Sequence, residues 1–321
     1  MRVFFPEVEE PSSLALLEGI AEVKTGSKDQ FYSQEELAKE MRDVNVVVIT
    51  SQHRITRSIM ENAPNLRAII KYGSKPGSDN VDMTAANERK ILVTNTPGAN
   101  SDSVAEFTVA LAFALAKNLP NAMWRLKKHA WRDDSCLGIE LTQKTVGIVG
   151  LGVIGSKVAQ KLSCLGMAIL ARDPYVSKEK TTLVHAKMVD LESLLRESDI
   201  VTLHAQLNDE TKYMIGKNEL GLMKRTAFLV NTARGALVDE KALFEALRDG
   251  KIAGAAIDAF ETEPPLSDNP LLALDNVILT PHIASWTSDA LRKEAYMAVE
   301  EVRRIVTGAK PLYLANPEVL T

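Results

Sequence analysis

Three glycines are the residues whose spacing most directly suggests chemistry. Gly150, Gly152 and Gly155 form a GxGxxG loop directly after the apolar, β-branched run Thr145–Val149. In such a loop the first glycine permits a tight turn, and the second lets the backbone approach a pyrophosphate. The third lets a helix pack closely on a strand, and that helix turns its free N–H groups and positive dipole end toward the phosphates. Glycines also gather at turns for steric reasons alone, so the loop needs context. A strand pattern precedes it, a helical pattern (Ile154–Leu165) follows, and the next strand pattern ends at Asp173, 18 residues beyond Gly155. A carboxylate there can accept hydrogen bonds from both ribose hydroxyls and repels a 2′-phosphate, which favours NAD over NADP. The competing reading is that Asp173 only opens the turn at Pro174 and that Arg172 governs the cofactor.

Elements on both sides must hold this loop. Apolar, strand-like runs occur at Arg2–Phe5, Val44–Thr50, Leu66–Ile70 and Ile91–Thr94, with helical spacing over Pro11–Ile20. Ser101–Lys128 reads as a long helical stretch broken near Pro120. Strand patterns resume at Thr145–Val149, Met167–Leu170, Ile200–His204, Ala227–Asn231, Ala253–Ile257 and Val277–Leu279. Helical segments, including Leu191–Glu197 and Glu240–Arg248, lie between most of them, and a last helix starts near Thr287. Such alternation predicts a doubly wound α/β fold with parallel sheets.

Composition narrows the class further. With 321 residues, 45% of them hydrophobic and 25% charged, the chain is an ordinary globular sequence, too long for one core. Its 38 basic and 42 acidic residues leave no broad positive surface for nucleic acid. The most apolar stretch, Phe107–Ala116, is about half the ~20 residues that span a membrane. The N-terminus lacks a secretory apolar core. Cys136 and Cys164 show neither metal-ligand spacing nor a disulfide framework, so a reduced, cytoplasmic protein without a metal is expected.

The segments NTARGALVDEKALFEALRDGKIAGAAIDAFETEPP and NVILTPHIASWT closely resemble the D-isomer-specific 2-hydroxyacid dehydrogenase family. The likeness extends backwards through SDNVDMTAANERKILVTNTPGANSDSVAEFTVAL and GIELTQKTVGIVGLGVIG, nearly the whole chain. It implies a catalytic Arg, Glu and His at Arg234, Glu263 and His282, separated by 29 and 19 residues. Their chemistry suits the reaction. An imidazole titrating near neutrality can take or return the hydroxyl proton. A neighbouring carboxylate favours its protonated form, and a guanidinium can grip a substrate carboxylate in a bidentate fork. The resemblance also implies Val153 and Ile154 under the pyrophosphate, Ala205 beside the adenine ribose, and Thr232 and Ala233 facing the nicotinamide. Asp258 would hold the carboxamide, with a helix-cap role as the plainer alternative. A Rossmann NAD-binding domain over 101–287 is expected, with a smaller flavodoxin-like substrate domain from 1–100 and 288–321.

The substrate end departs from the family pattern. The loop usually written GxGxDNxD reads Gly73-Ser74-Lys75-Pro76-Gly77-Ser78-Asp79-Asn80-Val81-Asp82, two residues longer, and Pro76 donates no N–H. Ser74, Lys75, Gly77 and Arg234 are the candidate substrate contacts, with Trp286 as a pocket wall. Thr50 stands where phosphoglycerate-oxidising relatives carry Arg, and Pro281 disfavours the formate branch. Glycerate/hydroxypyruvate, glyoxylate, lactate and 3-phosphoglycerate all remain candidates. The rivals are an NAD-sensing binding protein of the corepressor type and a phosphonate-type dehydrogenase. By resemblance the helices of 101–128 form a homodimer, sharing Phe107, Leu111, Phe113, Leu115, Met123 and Trp124 between subunits.

Overall fold

The computed structural model describes all residues except 9, 27–31, 51, 74–79, 178–180, 183 and 321. The chain divides into two compact units, Met1–Asn100 with Trp286–Thr321, and Ser101–Ser285.

The smaller unit is built on a five-stranded parallel sheet of β1 (Arg2–Phe5), β2 (Glu22–Thr25), β3 (Val46–Ile49), β4 (Ala68–Lys71) and β5 (Leu92–Asn95). The strand order β2-β1-β3-β4-β5 is that of flavodoxin. Its inner strands are covered on both faces, which is why their sequences run apolar without alternation. Val3, Phe5, Val46, Val48 and Ile70 pack against Ala295, Ala298, Val299 and Val302 of the helix Ser288–Val306. On the opposite face Phe4, Val47, Ile49 and Ile69 meet Leu37, Ile59 and Met60. Within Pro11–Ile20, expected to be helical, Pro11–Leu17 forms a 3-10 helix. β2 has no counterpart in the sequence reading: it is an edge strand with largely exposed side chains, so it carries no apolar run.

The larger unit holds seven parallel strands: β6 (Thr145–Val149), β7 (Ala168–Arg172), β8 (Ala186–Met188), β9 (Ile200–Leu203), β10 (Phe228–Asn231), β11 (Gly254–Ile257) and β12 (Val277–Leu279). They lie in the order β12-β11-β10-β9-β6-β7-β8, the Rossmann arrangement with one further strand. Progression reverses at β6, so the carboxyl ends of β6 and β9 flank a switch-point crevice, where open α/β sheets bind ligands. Helices Ser101–Ala116 and Val153–Cys164 cover one face, burying Leu111, Leu115, Val158 and Leu162. Helices Leu191–Glu197, Lys217–Leu222 and Glu240–Arg248 cover the other with Leu194, Leu220 and Leu243. The apolar residues assigned to a subunit interface therefore divide. Leu111 and Leu115 are internal core, Phe107 and Phe113 pack partly against it, and Met123 and Trp124 are exposed. No helix among the described residues is long and apolar enough to cross a membrane.

Candidate active site

The glycine loop is built as the spacing demands. Gly150 follows β6 with φ +91°, and a Cβ there would lie 2.7 Å from the His204 carbonyl and the Ala205 nitrogen at the end of β9. At Gly155 a Cβ would stand 2.0 Å from the Gly150 carbonyl oxygen, so only glycine lets the helix Val153–Cys164 approach its strand. Gly152 differs, because a Cβ there would meet no heavy atom within 4 Å. Nothing in the chain's own packing demands glycine at that position. The open space suits a ligand that approaches the backbone at the helix N-terminus, and the residues present thus fit a dinucleotide pyrophosphate.

Flanking side chains sort by direction. Val153 is 56% exposed, whereas Ile154 packs partly against the core, so the helix start rather than the Ile154 side chain can face phosphate. Asp173 lies just beyond β7, its Oδ2 accepting from the Leu151 N–H (2.8 Å) and its Oδ1 from the Tyr175 N–H (2.9 Å). Its carboxylate is thus locked to the glycine loop, and each oxygen keeps capacity for a further donor. Ala205 packs on the core beside Gly150. Thr232 is buried, its Oγ1 2.8 Å from the Thr108 hydroxyl, and the Ala233 N–H donates to Asn231 Oδ1.

Arg234, Glu263 and His282 come from segments that follow three neighbouring strands, β10, β11 and β12. His282 Nδ1 lies 2.7 Å from Glu263 Oε2, and Glu263 Oε1 accepts from the Phe260 N–H at 3.0 Å. Burial pushes the Glu263 carboxyl up, but the hydrogen bond and charge of His282, the Phe260 N–H and the charge of Arg234 outweigh it and hold it below the usual carboxylate range. The field of Arg234 thus reaches the pair, and the three groups share one neighbourhood. Arg234 Nη1 donates to the Ala233 carbonyl (2.8 Å), and its own carbonyl accepts from Asn231 Nδ2 (2.9 Å).

His282 sits in left-handed backbone, φ +53°, a conformation that a non-glycine residue holds only when its surroundings enforce it. The enforcing group is Asp258. Its backbone carbonyl accepts from the His282 N–H, its Oδ1 accepts from the Thr280 hydroxyl (2.6 Å) and the Ile283 N–H, and its Oδ2 from the Ala284 N–H (2.8 Å). Asp258 is fully buried, and its visible work is to hold the histidine segment; the sequence reading gave it to the nicotinamide carboxamide and missed this anchor. The missed signal was Thr280, a hydroxyl two residues before the histidine. Trp286 is half-exposed and belongs by its contacts to the smaller unit. Ser74, Lys75 and Gly77 lie outside the described residues.

Residues 109–284 match the family described as D-isomer specific 2-hydroxyacid dehydrogenase, NAD binding domain. The chain is 41% identical over 297 residues to a D-3-phosphoglycerate dehydrogenase of Methanocaldococcus jannaschii, covering 92% of this chain but 56% of that protein. It therefore spans little more than half the length of that relative. It is 40% identical over 327 residues to a glyoxylate reductase of Aeropyrum pernix, covering 99% of this chain and 97% of the relative. The crystal structure of the TT0316 protein of Thermus thermophilus superposes with a TM-score of 0.91 at 35% identity, covering 98% of this chain and 99% of that one. The chain belongs to the D-isomer-specific 2-hydroxyacid dehydrogenase family, and its larger unit is that family's NAD-binding domain.

Proposed function

We propose that the chain is an NAD-dependent oxidoreductase interconverting a small D-2-hydroxy acid and its 2-keto acid. The observation that carries this reading is the 2.7 Å pair of His282 and Glu263, within the field of Arg234 and in the same unit as the glycine loop. NADH, when bound, supplies the hydride that reduces C2 of the keto acid. Glu263 engages Nδ1 of His282, which leaves Nε2 to face the substrate oxygen. An imidazolium donates its Nε2 proton to the keto oxygen, and in the reverse direction the neutral ring takes the hydroxyl proton. Glu263, held ionised, fixes the ring's orientation through Nδ1. Arg234 grips the substrate carboxylate and polarises the carbonyl.

Coverage along the relatives favours a small, unphosphorylated keto acid, because a glyoxylate reductase is matched over almost its whole length. The reading includes a reduced cytoplasmic setting, in keeping with two free cysteines, and a homodimer through the exposed Met123, Trp124, Leu126 and Trp131. Sedimentation of the purified chain as a monomer would remove that last part. The activity is tested by following NADH consumption with glyoxylate, hydroxypyruvate, pyruvate and 3-phosphohydroxypyruvate. Turnover of a small keto acid is the expected result. Tight NADH binding without turnover of any of them points instead to an NAD-sensing protein, and phosphite-dependent NADH formation to a phosphonate-type enzyme.

A further inference from the structure

The carboxylate that orients His282 stands on backbone that no strand or helix holds. Phe260, Glu261 and Glu263 lie in the irregular segment after β11, and neither Glu263 nor His282 is fully buried. A segment without ladder partners takes its place from the bonds its amides find elsewhere. Here two reciprocal bonds supply them. The Glu261 N–H donates to Glu240 Oε1, and the Glu240 N–H donates to Glu261 Oε1 at 2.8 Å. Glu240 opens the helix Glu240–Arg248, where a first-turn N–H has no partner within the helix and the dipole favours a carboxylate. Each carboxylate takes a further donor. The Tyr213 hydroxyl donates to Glu261 Oε2 at 3.0 Å, and Asn269 Nδ2 donates to Glu240 Oε2 at 2.9 Å. The Phe260–Glu261 peptide also lies directly on Gly235, where a Cβ would stand 1.9 Å from the Phe260 carbonyl carbon and 2.3 Å from the Glu261 nitrogen. The residue after Arg234 therefore touches the peptide two residues before Glu263. All of these groups belong to the larger unit.

Helix capping accounts for the bond from the Glu240 N–H. It does not account for the return bond from the Glu261 N–H, which fixes the loop rather than the helix. That loop carries Glu263, whose Oε1 is held by the Phe260 N–H next to the latch. Resting on the reading above, in which Glu263 orients His282, we propose that Glu240 and Glu261 are positioning residues for proton transfer. Their reciprocal latch holds the loop after β11 so that Glu263 meets Nδ1 of His282. Opening it leaves the glycine loop and its helix in place but lets Glu263 drift from the ring, and a misplacement of about 1 Å can cost up to about 10²-fold in rate.

The test measures kcat and NADH affinity in the full-length chain. Glyoxylate, hydroxypyruvate, pyruvate and 3-phosphohydroxypyruvate are tried in turn, the fastest serving as substrate. Glu261→Ala should lower kcat about tenfold, with NADH binding by fluorescence titration unchanged. Glu261→Gln, which keeps an oxygen for the Glu240 N–H, should recover most of that loss. In a Glu263→Gln background, Glu261→Ala should cost less than about twofold more, because the group it acts through is already impaired. An equal loss in both backgrounds marks a merely structural role and overturns the proposal, as does an unchanged kcat in Glu261→Ala. Should Glu261→Ala not fold, Glu240→Ala opens the same latch from the helix side, and an unchanged kcat there overturns the proposal too. Absence of turnover of all four keto acids by the unaltered chain, with NADH still bound, overturns the proposed activity and this inference with it. Turnover by the unaltered chain with a kcat indifferent to the latch overturns this inference alone.

Discussion

Glu263 in the larger unit, its side chain 39% exposed, and Glu294 in the smaller one, 4% exposed, both lie near the carboxyl ends of parallel strands, yet their acidities move apart. Burial raises both. At Glu263 an imidazole, a backbone N–H and a guanidinium field overcome that rise. At Glu294 the Asn100 amide and the Lys71 ammonium do not. Depth of burial, weighed against the count and kind of donors around the acid, decides whether it is a fixed charge or one that changes near neutrality. The larger unit thus keeps a permanent anion beside the proton-transfer group, and the smaller unit an anion that pH can remove.

The largest effect should come from removing the group that makes Glu263 different. His282→Ala is expected to lower kcat by about 10²–10⁴-fold while NADH binding, followed by fluorescence titration, changes little. Unchanged turnover would refute the acid/base role and leave the two glutamates equivalent in function. A smaller effect, on stability, sharpens the contrast itself. A carboxyl depressed in the folded state stabilises above its ordinary pKa of 4.5, and that contribution is lost as pH falls. One raised to about 7 contributes below 4.5, and its contribution is lost as pH climbs through about 7. The Tm advantage of the unaltered protein over Glu263→Gln should therefore grow with rising pH, and its advantage over Glu294→Gln should shrink. Parallel trends in the two variants would break the comparison.

Much of this was legible in the sequence, for physical reasons that differ by element. The inner strands announced themselves because both faces are covered, as in VVVI of β3, and the glycine loop because its steric demands at Gly150 and Gly155 leave no alternative residue. Arg234, Glu263 and His282 were found through long motifs that follow strands. β2 and β8 were not found, since edge strands with exposed side chains carry no periodic signal. The Lys71–Glu294 cluster was hidden for another reason. Lysine and glutamate are rarely buried, and the two stand far apart in the chain, so only the folded sheet and its last helix bring them together. Asp258 was noticed, but its hold on the histidine segment was not, because a strand-end acid looks the same whether it faces a ligand or a loop.

The smaller unit is assembled from segments on both sides of the larger one, and this shapes the order in which the two emerge from synthesis. The larger unit is continuous from Ser101 to Ser285 and holds every strand of its own sheet. The first hundred residues, by contrast, leave one face of their sheet largely uncovered until Ala295, Ala298, Val299 and Val302 follow the whole larger unit out of synthesis. Contacts of such wide separation form slowly. The nascent N-terminal sheet must therefore wait with an apolar face open to water, and that interval is when aggregation or chaperone capture has its best opportunity.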